Sequence, residues 1–438
     1  MGDFYGRARH GAAARAVLAL LAGWSPNLPA TAATAATTTT AAPAVSPEIE
    51  VFHFLDPRAD VPRVATLRSA LQPSGYAWKD FTVAGGWTGR GETILRLRVQ
   101  AHNPPAAAMM KTPFMQHWAA RDALVPLDEV AAAQRWDELL PKAIADSVKF
   151  KGRYYAVPLN IHRVNWLWIN ERMLKETGTP VPQTWAQFFD TAEAMKRLGY
   201  TAVAHYGRDT QNLLLFETIA LGVGGPAFHR KALVEYDADE LRGPVMQQVL
   251  ATYRRIKDYT EQPANSRIAM ERGNSKFETG KVGMHLMGDW ANPAFYPEDK
   301  AAPFKFVCVP APDSAGSFLL TADSLAMFRS ADPATLKGQL AFAAGIMSAP
   351  VQQEYSVRKG SIPARGDTGL KNYHGCSLKS AAAFRAAELG GTIVPAISMT
   401  ASRAVEDGIQ EVITEFWNND GISIQQAAGR LVTATRRR

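Results

Sequence analysis

Apolar and polar residues follow two different periods along the chain, and these periods predict its secondary structure. Short runs rich in apolar and aromatic residues, such as "EIEVFHF" (Glu48–Phe54) and "TADSLAMF" (Thr321–Phe328), predict strands. Between these runs, apolar residues recur at intervals of three and four, which predicts helices. Because strands and helices take turns along the chain, the pattern predicts an α/β fold in which helices cover a sheet.

Two segments give more detailed predictions. In "PQTWAQFFDTAEAMKRLGY", Thr184 and Gln187 have the spacing of a capping box, and Gly199 ends the predicted helix. The long apolar segment Tyr154–Leu174 is interrupted at Pro158 and Asn160. We therefore expect two extended pieces that meet at a break there, where the chain crosses between two parts of the fold.

Length and composition indicate a folded protein of more than one domain. The 438 residues favour two domains at roughly 100–200 residues each. Apolar residues make up 47% and charged residues 20%, which supports a large core. The net charge of +7 is spread along the chain without a clustered basic segment, so we expect a solvated, slightly basic surface and no nucleic-acid binding.

The first residues have the composition of a secretory signal peptide. Three arginines precede a short apolar run, Ala16–Trp24, and small residues with Ala-x-Ala-like sites follow it. The run is shorter than the ~20 residues that a membrane-spanning helix needs. We predict a signal peptide over residues 1–36, a disordered leader over 37–47 and a periplasmic location; the alternative is an Ala-rich disordered tail on a cytosolic protein.

Cofactor chemistry has little support in the sequence. The two cysteines, Cys308 and Cys376, have no spaced His or Cys cluster beside them that would complete a zinc site. A disulfide and two buried free thiols both remain open for this pair. We expect no cofactor and no metal.

Catalytic motifs are also missing from the sequence. It contains no G-x-S-x-G elbow, no H-E-x-x-H helix and no G-x-x-x-x-G-K-[ST] phosphate loop. His162, in an apolar strand, is interpreted as a hydrogen-bonded structural histidine. These absences favour a binding protein over an enzyme.

Acidic and aromatic residues at the ends of predicted strands provide a candidate ligand site. The strand "GMHLM" stops at Gly288 and is followed by Asp289 and Trp290, while Asp323 lies in "TADSLAMF". Ligands of α/β folds bind at the carboxyl ends of strands. A sugar needs a flat aromatic face for its C–H groups and charged hydrogen-bonding partners for its hydroxyls. Core packing and ligand stacking both remain open for Trp290.

Beyond these patterns, the sequence resembles a known family. The segments that carry the resemblance are "NPPAAAMMKTP", "YYAVPLNIHRVNWLWIN", "TPVPQTWAQFF", "TGKVGMHLMGDWANPAF", "FVCVPAP", "TADSLAMF" and "RKGSIPARGD". In this order they are similar to extracellular solute-binding family 1, the periplasmic carbohydrate-binding proteins of ABC importers, and most of all to its glucose/mannose-binding subgroup. The similarity extends from about Ile49 to about Ala434.

The resemblance implies a two-lobed periplasmic-binding-protein fold, with a hinge and a ligand cleft between the lobes. The predicted lobe 1 comprises residues 48–158 and 310–348, and lobe 2 comprises 159–309 and 349–438. Trp290 corresponds to a tryptophan that stacks on the sugar in this family. Asp289 precedes it, and we expect Asp289 mainly to shape the turn. In the subgroup's first strand, paired tryptophans are replaced here by "HFLDPRAD". The ligand-binding residues implied are Lys111, Trp290, Asp323, Lys359 and, as the acid of that first segment, Asp60.

Three functional hypotheses follow from the sequence. The first is a monomeric periplasmic protein that captures a sugar or related small polar solute by lobe closure and delivers it to the membrane subunits of an ABC importer. The alternative is a ligand-sensing accessory protein for a membrane sensor kinase. The third is a secreted glycosidase with Asp289 and Asp323 as its carboxylate pair.

Overall fold

The computed structural model describes residues 47–55, 60–83, 89–205, 209–260, 277, 280–291, 305–373 and 375–437. The predicted signal peptide over residues 1–36 lies outside the described residues, as does the predicted leader except for Pro47. Both segments therefore stay predictions.

Twelve strands are present in this part of the chain. In chain order they are β1 Glu48–His53, β2 Ala77–Thr82, β3 Ala107–Met110, β4 Lys149–Phe150, β5 Arg153–Tyr154, β6 Ala156–Arg163, β7 Trp166–Asn170, β8 Thr201–Ala204, β9 Val282–Leu286, β10 Phe306–Pro310, β11 Phe318–Met327 and β12 Ile393–Pro395.

The α-helices of the described residues lie between these strands and after the last one. They are α1 Val61–Leu71, α2 Gly89–Gln100, α3 Thr112–Ala119, α4 Asp128–Ala133, α5 Trp136–Leu139, α6 Lys142–Ser147, α7 Glu171–Thr177, α8 Trp185–Arg197, α9 Asp209–Leu233, α10 Ala238–Arg242, α11 Pro244–Ile256, α12 Pro333–Ile346, α13 Ala349–Lys359, α14 Gly375–Gly390, α15 Ile397–Thr400, α16 Arg403–Asn418 and α17 Ile424–Ala434.

The strands form two larger sheets and one small hairpin. Sheet 1 has the order β12-β11-β3-β1-β2, and β6 also pairs with β11. In sheet 1, β1 runs parallel to β2 and β3, whereas β11 runs antiparallel to β3 and β6. Sheet 2 has the order β10-β7-β9-β8. The predicted α/β alternation is therefore present in the structure.

Each sheet has a hydrophobic core of its own. Leu67, Met109 and Leu325 belong to the core of sheet 1, together with residues of α12 and α14. Leu167 and Met284 belong to the core of sheet 2, together with residues of α8, α9, α11, α16 and α17. Two separate cores are the basis for two lobes that can each keep their own packing.

Helix α8 forms as the sequence predicts. The backbone N–H of Gln187 donates to Thr184 Oγ1 at 3.2 Å, and the N–H of Thr184 donates to Gln187 Oε1 at 3.3 Å. These two bonds satisfy N–H groups that a helix start otherwise leaves without partners. Gly199 follows the last turn with a φ of 82°, a left-handed conformation that glycine adopts easily because it has no Cβ atom. None of the described helices is long and apolar enough to span a membrane.

The predicted break at Pro158 and Asn160 was wrong. Strand β6 continues through both residues because Pro158 lies opposite Ser324, where the register with β11 shifts in a bulge. The chain leaves sheet 1 after Arg163 and enters sheet 2 at Trp166.

Asn165 holds this crossing segment in place. Its Nδ2 donates to Ser314 Oγ at 2.9 Å, and its Oδ1 accepts from the N–H of Leu319 at 3.0 Å. Ser314 and the start of β11 belong to the second crossing, between β10 and β11. One buried amide therefore joins the two chain segments that connect the sheets.

Four parts of the predicted lobe division differ from the packing, and two of them are helix α14 and strand β12, which were assigned to lobe 2 but belong to sheet 1 and its core. Residues 159–163 belong to β6 of sheet 1, although they were assigned to lobe 2. Helix α13, also assigned to lobe 2, packs against α1 and β6 because its buried residues complete the core of sheet 1. The exact lobe boundaries stay a prediction.

A disulfide joins Cys308 to Cys376, with their Cα atoms 6.0 Å apart. Cys308 lies in β10 of sheet 2, and Cys376 lies in the first turn of α14, which packs on β11 and β12 of sheet 1. Lys379 Nζ, one turn further along α14, donates to the carbonyl oxygen of Cys308 at 3.2 Å. Of the two alternatives for the cysteines, the structure shows the disulfide.

Removing this disulfide is expected to destabilise the protein. The bond closes a loop with a sequence separation of 68. A closed loop of that size restricts the unfolded chain, so the double variant Cys308→Ser/Cys376→Ser is expected to lose about 2–4 kcal/mol. Urea unfolding of the wild type and the double variant measures the difference. A reductant should lower the stability of the wild type and leave the variant unchanged; equal stabilities would contradict the prediction.

Three buried histidines make the fold sensitive to acid. Burial lowers the pKa of His205 and His285 to about 4, and the pKa of His229 to about 3. Both ring nitrogens of His229 lack a hydrogen-bond partner within the part of the chain described here. Between the folded pKa and the ordinary value of 6.5, the unfolded chain binds protons that the folded protein does not. Stability is therefore expected to fall as the pH drops through this range.

His229→Leu tests this acid sensitivity. The variant removes one group that must be deprotonated in the folded state, so its loss of stability between pH 7 and pH 4.5 should be smaller than that of the wild type by about 2–3 kcal/mol. Denaturant unfolding at both pH values measures this difference. His102→Asn is the control, because His102 is exposed and its left-handed φ of 53° suits asparagine. An unchanged acid loss in His229→Leu would refute the assignment.

Candidate ligand-binding site

The centre of the candidate site is a buried ion pair between Lys111 and Asp323. Lys111 follows β3 directly, at the N-cap position of α3, and its Nζ donates to Asp323 Oδ1 at 2.8 Å. The same Nζ donates to Thr321 Oγ1 at 3.0 Å and to the carbonyl oxygen of Ala322 at 2.8 Å. Burial would raise the pKa of Asp323, but the charge of Lys111 holds it well below its usual range.

Strand pairing fixes the position of Asp323. It lies opposite Asn160 in the β11–β6 register, one residue before the bulge. The N–H of Asp323 donates to Asn160 Oδ1 at 3.2 Å, and Asn160 Nδ2 donates to Ser361 Oγ at 3.0 Å. Asn160 thus connects the ion pair to the loop that carries Lys359.

His162 connects this group to the segment that follows β9. Its Nδ1 lies 2.5 Å from Asp289 Oδ1, and its Nε2 lies 3.6 Å from Asp323 Oδ2 and 2.9 Å from Asn160 Nδ2. Burial would lower the pKa of His162, but Asp289 and Asp323 together raise it above its ordinary value. The histidine is a buried, hydrogen-bonded residue, as expected, and it lies between the two candidate carboxylates.

Asp289 contacts β6 as well as forming part of its own turn. Its Oδ2 accepts from the backbone N–H of Arg163 at 2.8 Å, in addition to the bond with His162. The expectation that Asp289 mainly shapes the turn was therefore incomplete. Its carboxylate joins the end of β9 in sheet 2 to β6 in sheet 1.

Trp290 lies beside this carboxylate with its indole folded back over Gly288. A Cβ atom on Gly288 would lie 2.2 Å from Cζ3 of the indole, so only glycine leaves room for this ring position. The indole is partly buried, and it meets the His162 ring edge to face with centroids 5.3 Å apart. The residue both packs on the core and keeps some exposed surface.

Lys359 ends α13 next to the same group. The following Gly360 has a φ of 75°, and Ile362 forms a bridge with Ile161 of β6, which brings this loop alongside Asn160. Burial lowers the pKa of Lys359 to about 8, although Asp323 acts against this shift. The ammonium group is therefore within electrostatic reach of the central ion pair.

Asp60 lies at the N-cap position of α1, further from the centre. It forms an ion pair with Arg63, whose Nε donates to the carbonyl oxygen of Arg358 at 2.8 Å. Arg358 precedes Lys359, so Asp60 reaches the group through this chain of contacts. The structure thus joins Lys111 to Asp323 and packs Trp290 against His162, which lies next to Asp323. The loop after Lys359 contacts Asn160 through Ser361, and Asp60 reaches this group through Arg63 and Arg358.

The sequence analysis did not assign Asn160 and Ser361 to the site. A signal for Asn160 was present, because Asn160 and His162 are two residues apart in an extended segment and so lie on the same face of β6. The role of Ser361 depends on the path of a loop, which spacing does not predict. No cluster of three or more His, Cys, Asp or Glu residues that could hold a metal ion occurs among residues 47–437 where they are described.

Comparison with known proteins identifies the family. A family model described as a bacterial extracellular solute-binding protein matches residues 82–372. The chain belongs to this family of bacterial extracellular solute-binding proteins. The match covers α2 through the loop after α13, so it includes the candidate ligand-binding residues apart from Asp60.

Relatives of this solute-binding protein, and solved structures of other proteins that resemble it, agree with the assignment. It is 30% identical over 388 residues to a protein of Rhizobium meliloti named a probable sugar-binding periplasmic protein, covering 88% of this chain and 93% of the relative. A chitin oligosaccharide binding protein has a TM-score of 0.75 at 16% identity, covering 89% and 98% of the two chains. The bacterial solute receptor AcbH also has a TM-score of 0.75, at 17% identity and with the same coverage. The fold is the two-lobed periplasmic-binding-protein fold.

The central ion pair gives a stability prediction for this solute-binding protein. Lys111→Met leaves Asp323 buried without its cation, which is expected to cost about 3–5 kcal/mol. Urea unfolding measures this loss. Lys142→Met is the control, because Lys142 pairs with Asp146 on the surface and should lose less than about 1 kcal/mol. A Lys111→Met variant as stable as the control would show that Asp323 does not depend on Lys111.

Proposed function

We propose that the protein captures a sugar or a related small polar solute between its two lobes and delivers it to the membrane subunits of an ABC importer. One observation carries the proposal: a partly exposed indole, Trp290, lies beside buried charged groups contributed by both sheets. A flat aromatic surface next to oriented hydrogen-bonding groups is the combination that a sugar ring and its hydroxyls need.

The origin of these groups supports a mechanism of lobe closure. Lys111, Asp323 and Lys359 come from the sheet 1 side, whereas Asp289 and Trp290 follow β9 of sheet 2. A solute that contacts both sets stabilises the arrangement in which they face each other. Closure therefore follows from the difference in ligand affinity between the open and closed states.

The names of the relatives support the transport role. The Rhizobium meliloti relative is named as sugar-binding and periplasmic, which supports an extracytoplasmic location and a sugar ligand. Chitin oligosaccharide and galactopyranose are the ligands named for the two structural neighbours. No observation favours the sensor-kinase hypothesis, and we do not extend it.

The glycosidase hypothesis, in which Asp289 and Asp323 are catalytic, has less support than sugar binding. The Asp289 carboxylate is bonded by His162 and the Arg163 N–H, and the Asp323 carboxylate by Lys111. A glycosidase needs one carboxyl group to give up a proton and the other to act as nucleophile or base. Two carboxylates that are already bonded by protein donors suit a binding role.

A thermal-shift screen tests the proposed function. The mature protein is heated with mono- and oligosaccharides and sugar acids, alongside Trp290→Ala. A solute at 100 times its dissociation constant adds about 2.7 kcal/mol of stability, which raises the melting temperature by several degrees. We expect at least one such solute, and a clearly smaller shift with the alanine variant.

Trp290→Phe is the matched variant, because it keeps a flat ring at the same position. It should retain part of the shift that Trp290→Ala loses, since stacking needs an aromatic face. A folded protein that responds to none of the sugars would refute the proposed function. An unchanged shift in Trp290→Ala would place the sugar away from Trp290.

A further inference from the structure

Lys359 differs from the other charged residues of the site in its lack of a partner. Within the described part of the chain it makes no hydrogen bond and no ion pair, although it is partly buried. A lysine at the end of a helix is commonly explained by the helix dipole. The helix dipole also favours a lysine whose side chain is fully exposed. It therefore does not explain why the Lys359 ammonium group is partly buried near Asp323 and Asp289.

The neighbouring acids are already bonded by other donors. Asp323 accepts from Lys111, Asp289 accepts from His162 and the Arg163 N–H, and Asp60 pairs with Arg63. Lys359 is therefore the cation that these protein carboxylates leave without a direct contact. An ammonium group that is removed from water without a partner is unfavourable, so a ligand that supplies one gains affinity.

We infer that the solute is an acidic sugar whose carboxylate pairs with Lys359, while Trp290 and the Lys111–Asp323 pair contact the ring. This inference rests on the proposed function and specifies its ligand class. A negatively charged oxygen fits better than a hydroxyl oxygen because Asp323 and Asp289 are already bonded by Lys111, His162 and the Arg163 N–H, whereas Lys359 has no bonded anion among the described residues. An ammonium group on the sugar, placed where the carboxylate would lie, would be repelled by Lys359.

Binding titrations with three sugars of the same ring size test the inference. D-glucuronate has a carboxylate at C6 where D-glucose has a neutral hydroxymethyl group, and D-glucosamine has an ammonium group at C2 where D-glucose has a hydroxyl. At low ionic strength we expect glucuronate to bind at least tenfold more tightly than glucose, and glucosamine more weakly than glucose. Added salt should weaken glucuronate binding more than glucose binding, because it screens the ion pair.

Variants of Lys359 assign the effect to this residue. Lys359→Met keeps the length of the side chain but removes its charge, so glucuronate binding should weaken ten- to hundredfold, and glucose binding far less. Lys359→Arg keeps the charge and should keep the preference for glucuronate. Lys371→Met is the matched control on an exposed lysine and should bind both sugars as the wild type does.

Each other outcome contradicts a different statement. Glucose binding as tightly as glucuronate, or glucosamine binding best, would overturn the acidic-sugar inference and leave the sugar-binding function standing. A preference for glucuronate that survives in Lys359→Met would overturn the role of Lys359. If a folded protein binds none of the three sugars or any other sugar in the screen, both the inference and the proposed function fail.

Discussion

The site depends on one buried charge pair, Lys111 with Asp323. Two charges that leave water are stable together only when each is bonded, and here Lys111 has three acceptors while the strand register holds Asp323. His162 lies between Asp323 and Asp289, and each of these buried carboxylates is bonded by a protein donor. Asn160 connects this ion pair to the loop of Ser361, because its Oδ1 accepts from the N–H of Asp323 and its Nδ2 donates to Ser361 Oγ.

Asp289 connects the polar groups of sheet 1 to sheet 2. Its carboxylate belongs to the chain after β9, yet its hydrogen-bond donors belong to β6. Trp290 is the next residue, so the position of its indole follows from the same two bonds and from the space above Gly288. In the arrangement that the structure shows, these two bonds join the groups of the two sheets at the base of the proposed binding surface.

Sequence patterns predicted the fold better than they predicted the site. Strand β11 and helix α8 agree with their apolar period and capping residues, because these are local properties of the chain. The break in the Tyr154–Leu174 segment was misplaced because a bulge opposite Pro158 lets the strand continue, and bulges depend on the partner strand. Lys111 came from family resemblance and Asp323 also from its place in a predicted strand, but their direct contact depends on the β3–β11 pairing, over a separation of 212 residues. The pairing of Cys308 with Cys376 was equally beyond local patterns.

That disulfide also limits how the two lobes can move. Disulfide-bonded cysteines rarely have Cα atoms more than about 6.8 Å apart, and these two are already 6.0 Å apart. Their sites, β10 of sheet 2 and the α14 helix on sheet 1, can therefore separate by less than about 1 Å. A rotation that opens the lobes must have its axis close to this bond, or α14 must detach from sheet 1 and travel with sheet 2. As long as α14 stays on sheet 1, the covalent link favours a pivoting motion over a sliding of one lobe across the other.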